Sequence, residues 1–157
     1  MERAFYFIVL IFIITVSCNS SKKARNNDAY KISKREMRAL LQDTTLPRYI
    51  LVSSGSIQPV TKIYLNNIKF DLVVKGTDTA YLTTNDINFI TPEGFSVGVK
   101  FSELPDSLRV KLIQERGWGY FVKLPSKWTL GFCEGSSCTD SYPKPNSKVK
   151  WIFKRKF

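Results

Sequence analysis

The chain has 157 residues, with 24 lysines and arginines against 13 acidic residues and a formal net charge of +11. It contains no histidine, which excludes Ser-His-Asp and Cys-His sites within one chain and removes the commonest general base and zinc ligand. A hydrophobic fraction of 43% with 13% aromatics describes a globular chain, and the length fits one domain.

The first element is apolar. Ala4 to Cys18 carries no charge, with Glu2 and Arg3 before it. Phe5 to Val16 has the length of a signal-peptide apolar region, and is too short to span roughly 30 Å of hydrocarbon. Val16-Ser17-Cys18 then resembles the end of a bacterial lipobox. That resemblance implies acylation of the Cys18 thiol, removal of residues 1–17 as a signal peptide, and a mature chain that begins at Cys18. Each buried methylene of such an anchor contributes about 0.8 kcal/mol, so several acyl chains hold the protein in the membrane. An uncleaved apolar anchor and a plain cleaved signal are the alternatives that the residues leave open. By the same resemblance, Asn19 in place of aspartate points to the outer membrane. The stretch Ser20-Ser21-Lys22-Lys23 points to a domain facing the periplasm.

Residues 18–29 form the lipidated cysteine and a flexible, basic tether, in which Lys22, Lys23 and Arg25 lie near lipid headgroups or simply in water. Residues 30–157 form a single β-rich domain. Ser33 and Glu36 make a capping box, and Met37, Leu40 and Leu41 follow at helical spacing, so one short N-terminal helix is predicted, ended by Pro47. The strand signals come next: Tyr49 to Ser53, Val60 to Leu65, Ile68 to Val74, Thr79 to Thr83 and Ile87 to Thr91. Asn66-Asn67 is a two-residue hairpin turn, because asparagine tolerates left-handed backbone. Phe95, Val97, Val99 and Phe101 alternate as in a strand, and Ser102 to Leu108 reads as one helical turn.

A C-terminal β-meander follows, from Val110 to Gln114, Tyr120 to Leu124 and Trp128 to Cys133, with Pro125-Ser126 as a tight turn. Val149, Trp151 and Phe153 make a last strand, interleaved with Lys148, Lys150 and Lys154; such lysines suit an exposed sheet edge. The fold class is therefore α+β, mainly antiparallel β-sheet, with one short N-terminal helix. A transmembrane barrel is disfavoured, since it needs at least eight lipid-facing strands of about ten residues and these strands are shorter.

With Cys18 acylated, Cys133 and Cys138 remain as an even pair in an oxidising compartment. A disulfide is expected there, because the pair lacks the two-residue spacing of redox-active cysteines; free thiols or metal binding are the other readings. Trp118 lies between Gly117 and Gly119, which predicts a partly exposed loop tip. With Arg116 and Tyr120 it is the candidate ligand contact, against the alternative of a packed aromatic core. Asp78, Asp86, Glu93, Glu103 and Asp106 stand beside turns, where carboxylates mostly cap or face water.

The positive charge favours anionic partners. Outside the cytoplasm these are anionic lipid, lipopolysaccharide phosphates, acidic wall groups or a protein partner, and not nucleic acid. No cofactor and no metal are expected. The leading functional expectation is a lipid-anchored envelope protein that acts as a non-enzymatic binding or structural module. A carboxylate-dependent glycan hydrolase and an inhibitor or immunity protein are the alternatives.

Overall fold

The computed structural model describes residues 48–156. The signal segment, Cys18, the tether and the helix expected at Ser33 to Leu41 lie outside the described residues. Eight strands form one antiparallel sheet: β1 (Arg48–Ser53), β2 (Ser56–Leu65), β3 (Ile68–Lys75), β4 (Asp78–Thr84), β5 (Ile113–Glu115), β6 (Gly119–Lys123), β7 (Thr129–Phe132) and β8 (Trp151–Arg155). Their order is β1-β2-β3-β4-β8-β7-β6-β5. Two meanders are thus joined where β4 pairs with β8, and the sheet curls into a half-barrel. Helix among the described residues is limited to α1 (Asp106–Arg109) and a 3-10 turn over Phe101–Glu103.

Local sequence explains the turns. Asn66 and Asn67 have φ of 51° and 62°, the left-handed pair that a two-residue hairpin needs. The β6–β7 hairpin closes with Lys127 N–H donating to Leu124 O at 2.9 Å and Leu124 N–H to Trp128 O at 2.8 Å. That places Lys127 itself at φ 68°.

Alternation sorts the strand residues onto two faces. On the outer face, Phe70, Leu72, Leu82, Val122, Leu130 and Ile152 are buried. The long connection from β4 to β5 covers them with Phe89, Phe101 and Leu104. Trp128 is wedged there against Phe70 and Phe89, with ring centroids at 6.2 and 4.7 Å. The inner face carries Val52, Val73, Tyr81, Trp118, Phe121 and Phe153. Each fully buried large side chain contributes about 1.5–3 kcal/mol, so both layers stabilise the sheet.

Three expectations change. Ile87 to Thr91 and Phe95 to Phe101 are not strands; only isolated bridges, Ile90 with Ser96 and Lys100 with Lys148, mark them. Their apolar residues pack down as an irregular cover over the outer face, and alternation alone cannot separate such a cover from a strand. The last strand is not an edge, because β8 lies between β4 and β7. Its Lys154 fits inside the sheet by placing its ammonium 4.6 Å from the Trp128 ring centroid, while its stem covers apolar surface. The edges are β1 and β5.

Candidate ligand-binding cleft

Among the described residues the inner face is not filled. Its two far edges meet at one point, through Arg155 on β8. The guanidinium donates to Val52 O on β1 at 3.1 Å and pairs with Glu115 Oε2 on β5 at 3.1 Å. The other carboxylate oxygen of Glu115 accepts from Ser54 N–H at 2.9 Å. Arg155 also stands 4.7 Å from the Trp118 ring centroid. This latch and the aromatic layer beneath it divide the trough into two cavities.

The larger cavity, about 460 Å3, opens between β1, the β3–β4 strands and the loops that follow β5 and β7. This volume lies within the range of small-molecule sites. Ile50, Leu51, Trp118 and Trp151 give it apolar walls, while Asp71, Tyr81, Thr83 and Asn85 bring polar groups. Asp71 pairs with Thr83 across β3 and β4, and Val73 with Tyr81, so these side chains share one face. Asp71 Oδ1 is buried and accepts no hydrogen bond among the described residues. Arg48 approaches it only to 3.8 Å. Oδ1 itself is closed off from the cavity, so a ligand there meets Asp71 through the rest of its carboxylate, and the side chain keeps 24% of its surface accessible. Burial pushes the Tyr81 phenol well above its ordinary value. Like any phenol it is protonated at neutral pH, and burial only reinforces this.

The far wall is the loop closed by the Cys133–Cys138 disulfide, whose sulfurs are 2.00 Å apart. Ser136, Ser137 and Cys138 line the cleft. Asp140 organises this loop by accepting from Ser136 N–H at 2.7 Å and from the Ser137 hydroxyl. Those donors, the Ser137 hydroxyl foremost, hold its carboxyl below the ordinary range. Gly117 N–H donates to Thr139 Oγ1 at 3.2 Å, which ties the β5–β6 turn to the same wall.

No protein-family model matches the chain, and no curated protein matches it. Among solved structures the chain is similar to the crystal structure of the uncharacterized protein yfeY from Escherichia coli. The two are 15% identical, with 79% of this chain and 88% of that chain covered and a TM-score of 0.48.

Of the three residues expected to meet a ligand, Trp118 alone borders the larger cavity. It is no exposed loop tip, with 6% of its surface accessible. Left-handed φ at Gly117 (70°) and φ of 153° at Gly119 reverse the chain so that the indole turns inward. Its ring lies 5.1 Å from Phe153 and 4.4 Å from Phe121. Arg116 stays exposed at the turn. Tyr120 belongs to the outer-face core, where its hydroxyl accepts from Gln114 at 3.1 Å.

Four of the carboxylates noted beside turns serve them. Asp86 accepts from Asn88 N–H, Glu93 from Ser126, and Glu103 from Lys100 N–H, while Asp106 pairs with Arg109. Asp71 and the serines of the disulfide loop were not singled out as ligand contacts by sequence reading. A lone aspartate inside an apolar strand, Phe70-Asp71-Leu72-Val73-Val74, was the available signal.

Proposed function

We propose that this chain is a lipid-anchored protein of the bacterial envelope, held through Cys18 in the outer membrane, whose β-domain faces the periplasm as a non-enzymatic binding module. The lipobox-like Val16-Ser17-Cys18 supports the anchor. The open inner face supports the binding role. The observation that carries it is the pairing of apolar walls, from Trp118 and Trp151, with the Asp71 carboxylate in one cavity. Tryptophan and a hydrogen-bond acceptor suit a neutral, hydroxyl-rich ring, so the proposed ligand is a sugar unit of an envelope glycan. A glycan hydrolase needs two carboxylates flanking the scissile bond. Among the residues lining this cavity Asp71 is the one carboxylate, which favours binding over cleavage.

Two measurements test the proposal. Intact-mass analysis of the protein from bacterial membranes is expected to give a polypeptide that starts at Cys18 and carries acyl mass; retention of Met1 or absence of acyl mass refutes the anchor. Titration of the full chain with tri-N-acetylchitotriose, followed by tryptophan fluorescence, is expected to saturate. Asp71→Asn is expected to weaken that binding by roughly 10–100-fold, the worth of a hydrogen bond to a charged group. Equal affinity of the two proteins removes Asp71 from the site.

A further inference from the structure

On the other side of the Arg155 latch lies a second cavity of about 380 Å3. We propose that it binds a phosphate monoester carried on an apolar body. This site is separate from the glycan cleft and does not depend on it.

Its apolar lining comes from Ile113, which is exposed, and from three core side chains beneath it. Phe121, Phe153 and Leu124 are buried there, with 3%, 3% and 5% of their surfaces accessible. Lys123 and Lys127, both exposed, also line the cavity. The carboxylate in the wall, Glu115, is occupied by Arg155. Neither lysine side chain makes an ion pair among the described residues. Two uncompensated ammonium groups beside an apolar lining match a dianionic head joined to an apolar tail. Lysine is an ordinary binder of phosphate as a point charge.

The backbone supplies a second argument. Lys127 holds φ of 68° at the end of the β6–β7 turn, a position where glycine is conformationally favoured and a side chain is strained. The turn is anchored from outside: Glu93 accepts from Ser126 N–H at 2.7 Å and from the Ser126 hydroxyl at 2.9 Å. The strained backbone at Lys127 fixes where its side chain leaves the turn, and that side chain lines the cavity.

The test uses the full chain in nanodiscs of neutral phosphatidylcholine. Hexyl phosphate is titrated in and followed by 31P line broadening, with hexanol, hexanoate and inorganic phosphate as competitors. Hexyl phosphate is expected to bind more tightly than each of the three. Lys127→Gly is expected to raise the thermal midpoint yet weaken hexyl phosphate about tenfold, the loss of one charged contact. Lys123→Gln is expected to weaken it similarly, while chitotriose binding stays unchanged in both variants. Unaltered hexyl phosphate affinity in Lys127→Gly overturns the site. Equal binding of hexanoate overturns the phosphate assignment. Equal binding of inorganic phosphate overturns the role of the apolar lining.

Discussion

Replacing Trp118 by alanine is expected to lower the unfolding free energy by about 3–5 kcal/mol, the range for a buried aromatic truncated in a core. The indole is central to the inner face. Its ring meets Tyr81, Phe121, Trp151 and Phe153 at centroid distances of 6.3, 4.4, 6.5 and 5.1 Å. It also carries the Arg155 guanidinium. Truncation removes that packing, and the open trough beside it cannot collapse to refill the space. Urea denaturation of the full chain, read by circular dichroism, measures the loss. Arg116→Ala, two residues away and exposed, is the control and is expected to stay within about 0.5 kcal/mol of the parent. A loss below about 1 kcal/mol for Trp118→Ala would mean that the indole lies at the surface.

Arg155→Leu is expected to cost about 2–4 kcal/mol and to release β1 from the far side of the sheet. The Arg155 and Glu115 side chains keep 23% and 26% of their surface accessible. That partial exposure places the loss between that of a surface pair and the 3–5 kcal/mol of a fully buried one. The substitution removes the bond to Val52 O and the contact over Trp118, and leaves Glu115 without its cation. Glu115→Leu in the same chain is expected to restore part of the loss, because the stranded carboxylate goes with it. Hydrogen exchange adds a local readout. The amides of β1 are expected to lose protection in Arg155→Leu well before those of β7, which sits between β6 and β8. Uniform loss across the sheet would contradict a latch role.

Much of the strand content was legible in the sequence. Apolar alternation and the Asn66-Asn67 turn located β2 and β3, and Pro125-Ser126 located the hairpin of β6 and β7. These signals are local, so the chain carries them in plain order. What failed was long-range. The pairing of β8 with β4 joins residues about seventy positions apart, and no spacing rule announces it. Lysines around Trp151 and Phe153 therefore suggested an edge, where the fold uses the Lys154 stem and the Trp128 ring to bury the strand. Trp118 was misplaced for a related reason. Flanking glycines do mark a turn, but whether the turn points outward or inward depends on what the sheet brings opposite it, here Tyr81 and Phe153. The cleft was invisible for the same cause. Asp71, Trp151 and Ser136 come from three distant segments, and only curvature of the sheet assembles them.

A crystal structure of the full chain with tri-N-acetylchitotriose tests the binding role of the inner face most directly. The expected result is a sugar ring beside Trp118 and Trp151, with one hydroxyl donating to the Asp71 carboxylate. A cleft filled by the protein's own side chains, or a sugar seated elsewhere, would contradict it.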